Sequence, residues 1–408
     1  MSTITIERPS TEAVESTSPP AGAFTARRAD LVEALTTTGL AVAKRGSLPI
    51  MGQVLLTCRN GDLTMTTFDG EFAVIVRLPG AATADGQLLL EHAGLTKTLA
   101  AIAKGERKAD ADAMTVTVIS TTSGPVLAAG GYEIPLHASP SVQDFPTLPP
   151  VMPGTHVVDR AAFSQTAARV LVAADRGDTL PILTGVRLTL EHDSVHLVAT
   201  DRYRLATARL SATGTSDETT LVPGAFLGKV LKRMSGQTLS ISVDNTDGTR
   251  WVTWSAGQTT ALTLELAGEY PKVASIIPAN TECTVTVDRK ALAAATIKAA
   301  AITKAAAGAN TPVRLVVSPA GITVAPSVET GQGQVRAPEL DATITGITEM
   351  TIGANPTFLG DMLAAFAGET ITLHLDTPSK PFVATNEPTG LTDPGAYLHV
   401  LMPVRVTD

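Results

Sequence analysis

Between residues 160 and 176 the apolar side chains Phe163, Ala167, Val170, Leu171 and Ala174 fall at i, i+4, i+7, i+8 and i+11, the spacing of one helical face. Downstream the pattern changes to strands. Residues 185–191 and 194–200 flank a short His192-Asp193 turn and predict a hairpin. Pro223 then opens a second helix, with Phe226, Val230, Leu231 and Met234 turned inward. Two helices and several antiparallel strands in one stretch make an α+β unit.

That unit is repeated. Leu31 in Ala29-Asp30-Leu31 answers to Phe163 in Ala161-Ala162-Phe163, Leu48-Pro49-Ile50 to Leu180-Pro181-Ile182, and Asp69 to Asp201, each 132 residues later. A third, more diverged copy follows: Val158-Asp159-Arg160 recurs as Val287-Asp288-Arg289, and Val186-Arg187-Leu188 as Val313-Arg314-Leu315. The repeats are domain-sized, unlike the units of solenoids. Asp144-Phe145-Pro146-Thr147 and Glu269-Tyr270-Pro271-Lys272 mark equivalent exits from the first two copies. The expected division is a disordered, Pro-, Ser- and Thr-rich tail over 1–22, then domains over 23–148, 149–278 and 279–408.

A length of 408 residues agrees with two to three domains. The two cysteines, Cys58 and Cys283, are too few for a disulfide framework or a zinc cluster. With no signal-peptide pattern and no apolar run of bilayer length, a cytoplasmic location is expected.

Net charge is −8, which argues against indiscriminate binding to nucleic acid, but the charges are segregated. The candidate helices 27–45, 92–108, 160–176, 224–236, 289–304 and 356–367 hold 94 residues, with 18 of the 31 Lys and Arg and only 5 of the 39 Asp and Glu. Helix propensity alone does not explain this, because Glu forms helices as well as Lys and is missing here. Basic helices lining one surface against a polyanion do explain it, and the contacts would be to phosphates, sensitive to salt and neutral to sequence. Lys229, Lys232 and Arg233 lie off the apolar stripe of their helix and would face that polyanion.

Catalytic patterns are missing. There is no phosphate loop and no nucleophile elbow, and Gly331-Gln332-Gly333 is a lone Gly-x-Gly that reads as a turn. His192 and His196 have the spacing of a metal pair but fall in the hairpin on opposite strands. Asp110 and Asp112 read as solvated carboxylates in a charged turn. No enzyme, metal or cofactor is expected.

Residues 197–206, Leu-Val-Ala-Thr-Asp-Arg-Tyr-Arg-Leu-Ala, and 397–406, Tyr-Leu-His-Val-Leu-Met-Pro-Val-Arg-Val, resemble signature segments of the bacterial DNA polymerase III β subunit, the sliding clamp family. Residues 178–187, 45–52 and 269–272 extend the resemblance in order along the whole chain after the tail. It implies a ring-shaped, head-to-tail homodimer of three-domain subunits, with helices inside around duplex DNA and sheets outside. It also implies a non-catalytic processivity factor without a cofactor. The partners it implies are the catalytic subunit of DNA polymerase III, the clamp loader, and repair polymerases with clamp-binding peptides.

By the same resemblance, a peptide pocket is expected from Leu183, Thr200, Arg202, Tyr203, Arg204, Leu205, Pro271 and Ile276 on one wall. Val400, Leu401, Met402, Pro403, Val404 and Arg405 form the other, with Arg204 and Arg405 fixing polar groups of the peptide. Arg45 matches a DNA-contacting arginine of the family. Lys97, Lys104, Arg169, Arg176, Lys229, Lys232, Arg233, Lys298 and Lys304 complete the expected DNA-facing set from their helix positions. The dimer seam is expected to bring Ile134 and Leu136 near Ile302. Two departures stand out: Arg202-Tyr203 where many members have Gly-His, and Ser275 where a basic residue is common. Arg202 and Tyr203 keep open an alternative, a duplicate clamp specialised for repair or for replacing an inhibited main clamp. The first repeat has Phe68-Asp69-Gly70-Glu71-Phe72 in place of Thr200–Arg204, so its groove chemistry is lost.

Overall fold

The computed structural model describes residues 22–43, 48–139, 141–177, 180–246, 248–308, 311–328, 335–347, 349–388, 390–391 and 397–406. Apart from Gly22, the tail expected over 1–22 lies outside them, as does Arg45. The described residues form two compact units. One runs up to Asp69 and resumes over Ile75–Pro146; the other takes Gly70–Val74 and everything from Thr147 onward.

In the first unit, strands Ala82–Ala84, Ala23–Arg27, Thr115–Thr121, Gly124–Ala129 and Tyr132–Pro135 lie in that order in an antiparallel sheet. A second antiparallel set orders Asp62–Phe68, Gln53–Arg59 and Gly86–Glu91. Helices Arg28–Thr38 and His92–Ala101 cover the core, where Phe24, Leu31, Leu35, Leu56 and Leu99 are buried. The region read as a charged turn is instead a short helix, Lys108–Ala113. Ala111 is buried under it, Asp110 sits in its first turn where the helix dipole favours an acid, and Asp112 lies 3.4 Å from Arg28. Six residues are too few to display a 3.6-residue period in sequence.

In the second unit, one sheet runs through two repeats. Its order is Glu218–Pro223, Gly185–Leu190, Ser194–Thr200, Arg204–Ser211, Leu398–Leu401, Phe382–Thr385, Thr370–Leu375, Cys283–Asp288 and Ala342–Gly346. The join is antiparallel, with Arg204 opposite Leu401 and Thr207 opposite Leu398. A further antiparallel set orders His156–Asp159, Thr238–Thr246, Thr249–Ala256 and Thr259–Leu264, and a smaller sheet packs under helix Arg289–Ala307.

The repeated Val-Asp-Arg has the same role in both copies. Val158 and Val287 are buried. Asp159 and Asp288 accept the amides of Ala162 and Ala291 at 2.7 and 2.6 Å, capping helices Arg160–Val170 and Arg289–Ala307. Arg160 and Arg289 each donate Nε at 2.7 Å to a glycine carbonyl, that of Gly236 or Gly368, across the unit. Of the predicted apolar faces, Phe163, Ala167, Val170, Ala174, Phe226, Val230, Leu231 and Met234 are buried and Leu171 is half-buried, but the helices end at Val170 and Val230, before the last members of each face.

Candidate functional site

The hairpin Ser194–Thr200 and Arg204–Ser211 turns through Asp201, Arg202 and Tyr203. The Asp201 carboxylate accepts the amides of Tyr203 and Arg204 at 3.0 and 2.9 Å, and the Thr200 hydroxyl donates to the Arg204 carbonyl at 2.7 Å. Arg202, between them, has φ +79°.

Arg204 is only 5% exposed. Its Nε donates to Asp201 and its Nη1 to Asp361, both at 2.8 Å, and the guanidinium lies 4.4 Å from the centre of the Phe358 ring. Arg176 approaches the same Asp361 oxygen at 3.6 Å. Arg204 is therefore a strut between the hairpin and helix Pro356–Ala365, and its charge is already neutralised inside the unit. Tyr203, 57% exposed, also stacks on Phe358, with ring centres 6.2 Å apart.

The segment after strand Leu398–Leu401 crosses this turn. The Met402 amide donates to the Tyr203 carbonyl at 2.8 Å, and the Val404 amide to the Gly353 carbonyl at 2.9 Å. A Cβ on residue 353 would stand 2.1 Å from the Val404 oxygen, so only glycine permits this crossing. Met402, Val404 and Arg405 are exposed and Pro403 is half-buried.

Beside the crossing lies an apolar floor: Leu205 and Val400 pack with Val198, Val273, Val383 and Leu398. A groove of about 820 Å³ opens on it, bounded by Ile277, Leu391 and the side chains of Arg187, His196, Arg209 and Lys272. His196 is pushed below its usual pKa by burial, then by Arg209.

Of the residues expected here, Thr200, Arg202, Tyr203, Arg204, Leu205, Val400 and Met402 come together at the turn, floor and crossing. Leu183 and Leu401 are buried. Pro271 and Ile276 stand exposed on the connector, which sets Val273 and Ile277 into the floor instead. Phe358 and Asp361 were missed, because no pattern in the sequence links helix Pro356–Ala365 to a hairpin more than a hundred residues away.

Lys97, Lys229, Lys298 and Lys304 are exposed on helices, and Lys104, Arg176, Lys232 and Arg233 are exposed in the segments that follow the helix ends, short of the expected helix bounds. Helices Arg160–Val170 and Gly224–Val230 flank a groove of about 800 Å³ with Arg160, Arg176, Lys229 and Lys232 on its walls and a single carboxylate, Asp175. Arg169 does not belong to the exposed set. Its Nε donates to the Ala365 carbonyl at 2.7 Å and its guanidinium lies 4.1 Å from the Tyr397 ring centre, so it is half-buried and binds the two repeats together. Ile134 and Leu136 are half-buried at an edge of the first unit's sheet, and Ile302 is exposed on helix Arg289–Ala307.

Next to Arg169, the Tyr397 hydroxyl donates to the Arg169 carbonyl and accepts from His399 Nδ1, both at 2.9 Å. Burial, and then Arg204, push His399 down to about 3 from 6.5. Above pH 6.5 both folded and unfolded His399 are neutral and the fold keeps its full stability. Below 6.5 the unfolded chain gains a proton that the folded one refuses, so stability falls continuously towards pH 3. At pH 5 the loss from this one group is about 2 kcal/mol. Urea midpoints at pH 7 and pH 5 measure it, and His399→Gln should shrink the difference; an undiminished difference would assign it to other groups.

Among the described residues no helix is long and apolar enough to cross a membrane, and no group of three or more His, Cys, Asp or Glu could hold a metal. Three models of one family match in succession: DNA polymerase III beta subunit, N-terminal domain over residues 23–135, central domain over 157–272 and C-terminal domain over 274–404. The beta sliding clamp of Streptomyces coelicolor is 27% identical over 92% of this chain and 97% of that protein. The crystal structure of the Streptococcus pyogenes polymerase beta subunit superposes with a TM-score of 0.81 at 23% identity, covering 94% of this chain and 100% of that one. A Pseudomonas aeruginosa sliding clamp bound to griselimycin gives 0.79 at 20% identity, covering 95% and 100%. The chain belongs to the DNA polymerase III beta subunit family, the sliding clamps.

Proposed function

We propose that this chain is a non-catalytic processivity factor, a head-to-tail ring homodimer that encircles duplex DNA and tethers a DNA polymerase through a short peptide. The domains would be 23–148, 149–278 and 279–408. The observation that carries the reading is the basic groove between helices Arg160–Val170 and Gly224–Val230, which presents four cations against one carboxylate in a chain of net charge −8. Its contacts would be phosphate contacts, which hold any sequence and release it readily. The apolar floor and the Tyr203–Met402 crossing would seat Leu and Phe anchors of the polymerase, the clamp loader and repair polymerases. That a clamp of the same fold was crystallised bound to griselimycin supports a ligand site in such proteins. Ile134, Leu136 and Ile302 would meet at the two identical seams. A clamp acting on DNA would work in the cytoplasm.

Lys229→Ala with Lys232→Ala tests the inner surface. On linear DNA with blocked ends, removing two phosphate contacts should lower the salt slope of retention by about 2, and an unchanged slope would overturn the placement. Sedimentation of the same protein should give a dimer mass; a monomer would overturn the ring. The second reading, a duplicate clamp with its own clients, is favoured by one observation, the Arg202-Tyr203 turn.

A further inference from the structure

We propose that Arg202 is a specificity-determining residue, one that selects extended peptides carrying a carboxylate beside their apolar anchors. This assignment rests on the pocket reading above. Arg202 holds φ +79°; among the described residues the only other non-glycine with positive φ is Asn60, a residue type that tolerates that conformation. An arginine gains nothing there from the backbone, and glycine would relieve the strain.

The turn cannot relax it, since the Arg202 amide donates to the Thr200 hydroxyl at 3.2 Å while Asp201 holds the next two amides. The backbone thus fixes the root of an exposed cation. Among the described residues its guanidinium has no ion pair. The nearby carboxylates, Asp201 and Asp361, are both taken by Arg204 at 2.8 Å. The guanidinium is therefore free to take a carboxylate from a bound peptide. Beside it, Tyr203 offers an exposed ring braced on Phe358. A guanidinium rooted at a fixed backbone position beside a braced aromatic ring suits an acidic residue adjoining an apolar one, and arginine can bind that carboxylate through two parallel hydrogen bonds.

The test uses the full chain and two fluorescent peptides with the same Leu and Phe anchors, flanked by two Asp or by two Ser. The acidic peptide should bind about tenfold tighter at low salt, the difference expected of one charge-assisted contact, and the gap should narrow as salt rises. Arg202→Gly should bring the affinity ratio close to one, without lowering the melting temperature, and Arg202→Lys should keep part of the preference. Equal affinities in the unaltered chain, or a preference that survives Arg202→Gly, would overturn the assignment while leaving the pocket standing, provided Met402→Ala weakens both peptides. If neither peptide binds, or if Met402→Ala changes nothing, the pocket reading fails and Arg202's role with it.

Discussion

Replacing Arg204 by alanine should cost about 3 kcal/mol of stability and remove peptide binding together, because it strips a buried cation from between two carboxylates. Asp201 would be left with only its turn amides and Asp361 with Arg176 at 3.6 Å. The Phe358 ring would lose the guanidinium over its face. Most of the cost comes from the carboxylates left uncompensated rather than from the packing of the arginine side chain, and this can be separated. Adding Asp201→Asn and Asp361→Asn to Arg204→Ala should restore part of the urea midpoint, whereas two further deletions of ordinary hydrogen bonds would lower it again. A loss below about 1 kcal/mol, the range of a surface ion pair, would show that Arg204 is no strut.

Gly353→Ala should act on the site from beneath, by pressing on the backbone of Val404. The new Cβ would fall 2.1 Å from the Val404 oxygen and 2.4 Å from Val406, and the segment over Met402–Val406 is what can move. Overpacking strain is about 1–3 kcal/mol. If it is relieved by lifting that segment, peptide affinity should fall at least about tenfold. The sheet join from Arg204–Leu401 to Thr207–Leu398 lies before the crossing, so the melting transition should stay cooperative. Retained affinity in Gly353→Ala would mean that the segment is not part of the peptide wall.

Much of this was legible in the sequence, for reasons that differ from element to element. The Val-Asp-Arg repeat survives because an N-cap and a carbonyl latch depend on backbone geometry, which duplication preserves. The helix Arg160–Val170 was readable from its apolar period, though that period ran past its end, and so was its helical partner after Pro223. Arg169 shows where such reading stops. Its position on the helix is compatible with solvent, and only Tyr397 and Ala365, far along the chain, decide that it turns inward. The ties of Arg204 to Asp201 and Asp361 were not legible, since Asp361 lies on another repeat. The connector around 271–277 has neither period, so nothing in it distinguished Val273 and Ile277, which face the floor, from Pro271 and Ile276, which do not.

The strand Leu398–Leu401 fills the gap between Arg204–Ser211 and Phe382–Thr385, yet a ribosome makes it long after the first of those neighbours. Until it emerges, the nascent chain carries a half-sheet with an open edge, the kind of edge that invites pairing with another chain. The floor residue Val400 and the crossing at Met402 arrive with the same strand. On the proposed function, an unfinished chain would have no complete pocket with which to compete for clients, and the strand that closes the open edge would also complete the pocket.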